Sequence, residues 1–178
     1  MPNGIQQYVN LENRLVLLAW LNSLLGYRSN RALLEDTKTV AEGYGADGRS
    51  FLYHHLIARG SQVKIPEDDL ARYDENIRNH LAALNRNRTE PITLRYFQYL
   101  AALYTEIFLD RLFNHRGGSN HTSLLIELNA FVKKRNARRM PFEPQDEPFS
   151  EEDLTKLAFW MATGSGKTLL LHLNYYQF

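Results

Sequence analysis

From Asn10 onward, apolar residues recur at helical spacing. Leu11, Leu15, Leu18, Leu21 and Leu25 fall on one stripe that Gly26 is placed to close. Ser29 is a candidate N-cap for a second helix through Ala32, Leu33, Leu34 and Val40, stopped by Gly43 and Gly45. After the turn Ala46-Asp47-Gly48, Ser50 opens a third helix over Phe51–Arg59, ended by Gly60, and Gln62–Ile65 reads as a short extended piece. Pro66 followed by Glu67, Asp68 and Asp69 suits the positive end of a helix carrying Leu70, Ile77, Leu81 and Leu84, broken by Thr89-Glu90-Pro91. Thr93 is placed to cap the longest helix, Leu94 to Asn114, and a Gly117–Asn120 turn leads to another over Leu124–Arg138.

The pattern then changes. Pro141, Pro144 and Pro148 interleave with acids, and no helix passes through them. Ser150 with Glu151, Glu152 and Asp153 reads as a capped acidic first turn. The continuous apolar run Leu157-Ala158-Phe159-Trp160-Met161 reads as a strand buried on both faces of a parallel sheet, and Leu169–Leu173 as a helix. The only boundary falls at the Pro-rich acidic linker, residues 140–150, between a helical N-terminal domain (1–139) and a strand–loop–helix unit (151–178).

Composition narrows the possibilities. With 178 residues the chain suits one domain or one and a half, and 21 basic against 20 acidic residues leave +1, which argues against a general, histone-like DNA binder. Hydrophobic residues at 44% supply a core, and zero cysteines exclude disulfides, Cys-type zinc sites and thiol catalysis. No targeting segment or membrane span is visible, so a soluble cytoplasmic protein is expected.

The chemistry sits between the expected strand and the last helix, in Met161-Ala162-Thr163-Gly164-Ser165-Gly166-Lys167-Thr168. Strand, Gly-rich turn, Gly-Lys-Thr and helix is the order of a phosphate-binding (Walker A) loop. Gly164 and Gly166 let backbone N–H groups converge on one anion, and the following helix adds its dipole. Lys167 would reach the β- and γ-phosphates of ATP and Thr168 would ligate Mg²⁺. The general pattern has Gly at the first position, where this chain has Met161.

The string from Met161 to Thr168 resembles motif I of superfamily 2 DEAD/DEAH-type helicases and translocases, most of all the form in the helicase subunits of type III and type I restriction enzymes. Leu94-Arg95-Tyr96-Phe97-Gln98 is similar to the Leu-Arg-x-Tyr-Gln element that precedes motif I in many of them, with Phe97 where the family often has Tyr. The resemblance implies the opening strand, P-loop and helix of a truncated RecA-like α/β domain after a mainly α region. It also implies a parent hydrolase that couples ATP to movement on nucleic acid, plausibly DNA in a restriction or phage-defence system, with a methyltransferase or modification subunit as partner. Gln98 would read the adenine edge, as a side-chain amide both donates and accepts. A working motor also needs a second acidic motif and an arginine from a second RecA-like domain. The chain therefore reads as an N-terminal fragment that does not hydrolyse ATP by itself, with residues 157–178 weakly held.

Other readings stand beside this one. A non-enzymatic helical interaction module with a vestigial loop belongs to a different class, and a small kinase or AAA-type ATPase fits the loop less well. The basic run of Lys133, Lys134, Arg135, Arg138 and Arg139 can touch nucleic-acid phosphates, but cations are also favourable at any helix C-terminus. The spacing of the six histidines makes no metal site, and the aromatics of residues 96–113 fall at core rather than base-stacking periodicity.

Overall fold

A computed structural model describes residues 14–113, 120–159 and 161–178. Leu11, His115, the Gly117–Ser119 turn, Trp160 and the side chain of His121 lie outside the described residues. Seven α-helices are described: α1 Val16–Leu24, α2 Asn30–Thr37, α3 Phe51–Ala58, α4 Glu67–Asn85, α5 Tyr96–Phe113, α6 Asn120–Asn136 and α7 Lys167–Gln177. Single turns of 3₁₀-helix stand at Gly60–Gln62, which overlaps the expected extended piece Gln62–Ile65 only at Gln62 and is followed by an extended Val63, and at Glu152–Thr155.

Local chemistry sets several helix ends where the sequence places them. Ser29 Oγ accepts from Ala32 N and Ser50 Oγ from Tyr53 N, each the N-cap bond of its helix. The end of α1 is a Schellman turn, with Tyr27 N on Asn22 O and Gly26 N on Ser23 O, and Gly26 at φ +82°. A side chain at Gly26 would also meet the backbone of Gln62. Helix α4 starts directly after Pro66, with Glu67, Asp68 and Asp69 in its first turn.

Helix α5 is the hub, packed against α4, α6 and α7. It is buried around most of its circumference, as a central helix must be. Tyr99, Leu100, Leu103, Tyr104, Ile107, Phe108 and Leu112 of its aromatic-rich sequence are core residues. The buried Tyr104 hydroxyl donates to Asn22 on α1. The helix begins at Tyr96, two residues later than the sequence reading, because Leu94 is spent as a buried anchor in the approach.

The linker is tied to α6 by side-chain bonds to its backbone. Asn136 of α6 donates Nδ2 to Asp146 O (2.8 Å) and accepts Asp146 N at Oδ1 (2.9 Å). One face further along α6, Asn129 does the same to Phe149 (3.0 and 2.7 Å). Two asparagines thus act as short pieces of backbone ladder and lay residues 146–149 along the helix.

Two departures concern the C-terminal segment. The strand expected over Leu157–Met161 is not formed among the described residues. The chain is extended at Lys156 (φ −128°, ψ 122°) but no second strand lies beside it, and a lone strand has no ladder to join. Conversely, the last helix is not loose. Leu170 and Leu173 of α7 are buried in the same core as α4 and α5, and Gln177 Nε2 donates to Ala102 O (3.0 Å) and Glu106 Oε1 (2.8 Å). No described helix is long and apolar enough to cross a membrane.

Carboxylates tie the helices laterally and set an acid limit. Tyr27 and then His55 and Arg59 bond Asp36, lowering its carboxyl below the usual range. At Asp110 burial pushes upward, but bonds from Arg72 (3.0 Å) and Tyr73 (2.6 Å) outweigh it and the net shift is again downward. Groups with depressed folded pKa values stabilise fully above their unfolded value, and that contribution is lost as pH falls through the folded value. The melting temperature should therefore stay level from neutral pH to about 5 and fall below about 4. Asp110→Asn should flatten that fall in a pH series of thermal melts; an unchanged slope would remove Asp110 from the acid response.

Candidate functional site

The Gly-Lys-Thr loop is built from the two glycines outward. Gly164 and Gly166 lie at φ +78° and +89°, the left-handed region that only glycine enters cheaply. Ser165 closes a turn on Ala162 O, with its amide at 3.2 Å and its hydroxyl at 2.6 Å. Gly166 then stands as the N-cap of α7 with no side chain capping the helix. The N–H groups of Lys167, Thr168 and Leu169 have no acceptor among the described residues, so the positive end of α7 opens onto the loop.

Lys167 curls back across this opening. Its Nζ donates to Ala162 O at 2.9 Å and Met161 O at 3.2 Å. An ammonium held only by neutral carbonyls has no counter-charge in contact, so an anion there adds a Coulomb attraction that the carbonyls do not supply. Thr168 is exposed at the first turn, its hydroxyl without a partner among the described residues. Free amides, an ammonium and a hydroxyl thus stand together at the start of α7, all of them groups that can contact an anion or its counter-cation.

Gln98 reaches this loop from 67 positions away. It is buried at 8% exposure, donates Nε2 to Ser165 O (2.9 Å), and accepts Arg95 N at Oε1 (3.0 Å). The second bond is the backward half of a capping box, closing the start of α5. The first ties that helix start to the loop. Gln98 therefore stands at the loop as the sequence pairing of the two elements anticipates, but with one end of its amide on each partner. One N–H and one lone pair remain for any further contact.

The basic run is split by the linker. Asp146, 8% exposed at its side chain, takes Arg135 Nε at 2.6 Å and Arg139 NH2 at 2.7 Å. Lys133, Lys134 and Arg138 are exposed. Two of the five candidate phosphate contacts are thus committed to an internal carboxylate, and three are presented to solvent. Asp146 was missed as a site-shaping residue. Its signal in the sequence was Asn129 and Asn136, seven apart and so on one helix face, opposite a linker unable to satisfy its own backbone.

The histidines are dispersed. His54 pairs with Asp47 (3.0 Å), His55 with Asp36 (2.9 Å), and His80 lies 3.6 Å from Glu106. No three metal-ligating side chains converge among the described residues.

Beside the loop runs an apolar groove of about 800 Å³, between α1, α5 and the segment leading to Ser165. Leu17, Leu21, Leu100, Tyr104, Phe159 and Met161 line it. Comparison of the chain with protein-family models, curated proteins and solved structures finds no match.

Proposed function

We propose that the chain is a nucleoside-triphosphate-binding part of an ATP-dependent nucleic-acid motor of the helicase or translocase type, one acting on DNA in restriction or phage defence. The observation that carries this reading is the conformation of Gly164–Thr168: two left-handed glycines, an uncapped helix start and Lys167 resting on the carbonyls of its own loop. In this reading the loop amides and Lys167 hold the β- and γ-phosphates, and Thr168 ligates Mg²⁺. Gln98 keeps the loop in register with α5 and turns its remaining amide capacity to adenine. Exposed Lys133, Lys134 and Arg138 contribute backbone contacts to nucleic acid. The residues after the linker are then the opening of a RecA-like unit, and a modification subunit is the kind of partner such a parent would have.

The test is a thermal melt of this chain and of Lys167→Ala, with and without Mg·ATP. Binding at about 100 times Kd should add about 2.7 kcal/mol to the native state. The expected result is a shift in the parent chain that Lys167→Ala abolishes. No shift in the parent chain, or an equal shift in the variant, overturns the reading. The second reading, a non-enzymatic docking module, is favoured by the apolar groove, which a nucleotide-binding loop does not itself require.

A further inference from the structure

The end of α6 holds an anion site that the chain fills with its own carboxylate. Arg135 stands in the last turn of α6 and Arg139 in the turn that follows, and each takes one oxygen of Asp146. A guanidinium grips carboxylate and phosphate oxygens with the same planar N–H donors, so a pair converging on one carboxylate suits a phosphate equally. The pair is near the surface, with the Arg135 and Arg139 side chains 23% and 17% exposed. Lys133, Lys134 and Arg138, their neighbours in the chain, are exposed. The carboxylate arrives from outside the helix, on a segment whose backbone Asn136 fixes by two bonds.

We propose that Asp146 is an autoinhibitory plug. It holds Arg135 and Arg139 out of a surface for nucleic-acid phosphates to which Lys133, Lys134 and Arg138 already belong. The segment after α6 then sets how strongly this end of the helix grips nucleic acid. Because the plug is tethered a few residues beyond Arg139, it meets the arginines at high effective concentration, and a phosphate from solution competes poorly. The turn at Met140–Glu143, where Glu143 N donates to Met140 O (3.0 Å), shortens the tether. This masking presupposes that the three exposed cations contact nucleic acid, as proposed above.

The experiment is fluorescence anisotropy of a labelled duplex oligonucleotide with the full chain, over a salt series. Log K falls with log salt by about 0.9 per phosphate contact, so a slope of about −2.7 is expected for the parent and about −4.5 for Asp146→Ala. At low salt the variant should bind about tenfold or more tightly. Glu147→Gln, which removes the same charge from an exposed neighbour, should keep the parent slope. Arg139→Gln should leave the parent slope unchanged, yet make that of Asp146→Ala shallower by about 0.9. Should Asp146→Ala lose helical circular dichroism, Asp146→Asn, which keeps the side chain's shape, takes its place with a steeper slope again expected. Equal slopes in the parent and the Asp146 variant overturn the plug and leave the nucleic-acid contacts standing. A slope that Glu147→Gln steepens as much overturns it too, by making net charge the cause. No salt-dependent binding by any of these chains overturns both the plug and the nucleic-acid contacts it presupposes.

Discussion

Replacing Asp74 with alanine should cost about 2–5 kcal/mol of unfolding free energy, the range for depriving two buried hydrogen-bonding groups of a shared partner. Asp74 is 1% exposed on α4 and serves two other elements. It accepts Ser50 N at 3.2 Å, at the first turn of α3, and the hydroxyl of Tyr99 on α5. Arg49 stands 3.9 Å away as its nearest cation. Truncation strands a buried amide, leaves the buried Tyr99 hydroxyl with Ser50 as its remaining partner, and cuts a polar joint shared by α3, α4 and α5. Denaturant unfolding monitored by circular dichroism measures the loss. Adding Tyr99→Phe removes the hydroxyl that lost the Asp74 bond, so the double variant should be less destabilised than the sum of the single ones. Additive losses would mean that Asp74 and Tyr99 act separately.

The second large effect lies in the loop. Gly166→Ala should destabilise the chain by about 2–3 kcal/mol and abolish the Mg·ATP-dependent shift in melting temperature. At φ +89° an L-residue is strained, and the new Cβ would collide with Nε2 of Gln98. The side chain that ties α5 to Ser165 would have to leave. Gly164 provides the contrast. Its φ of +78° is equally left-handed, but a Cβ there meets open space, so Gly164→Ala should carry only the backbone strain of about 1–2 kcal/mol. Combining Gly166→Ala with Gln98→Ala should recover the steric part. Thermal melts of the three variants decide it, and equal costs at the two glycines would show that Gln98 is not held as described.

These expectations draw unequally on sequence and structure. The Ser29 and Ser50 caps, the acidic start of α4 and the glycine that ends α1 were legible because each acts within one helical turn of its own position. The Gly-Lys-Thr loop was legible for the same reason, since its left-handed glycines and the helix it opens are contiguous in the chain. The aromatic-rich α5 read as core from its periodicity, and its residues are buried.

What the sequence by itself determined, then, is a mainly helical chain with its helix starts, its breaks and a loop with the donors for an anion. Tertiary structure decided the rest. It set α7 against α4 and α5, where Leu170, Leu173 and Gln177 hold a helix that looked unsupported in isolation. It brought Gln98 to Ser165 as a tie between α5 and the loop, and Asp146 to Arg135 and Arg139, committing part of the basic run to an internal ion-pair cluster. It also left Leu157–Phe159 without a backbone hydrogen bond to any described residue. The physical reason is range. Caps and periodicity are short-range properties of the chain, whereas ion pairs, strand partners and the packing of a helix's apolar face depend on which distant surface folding delivers to them.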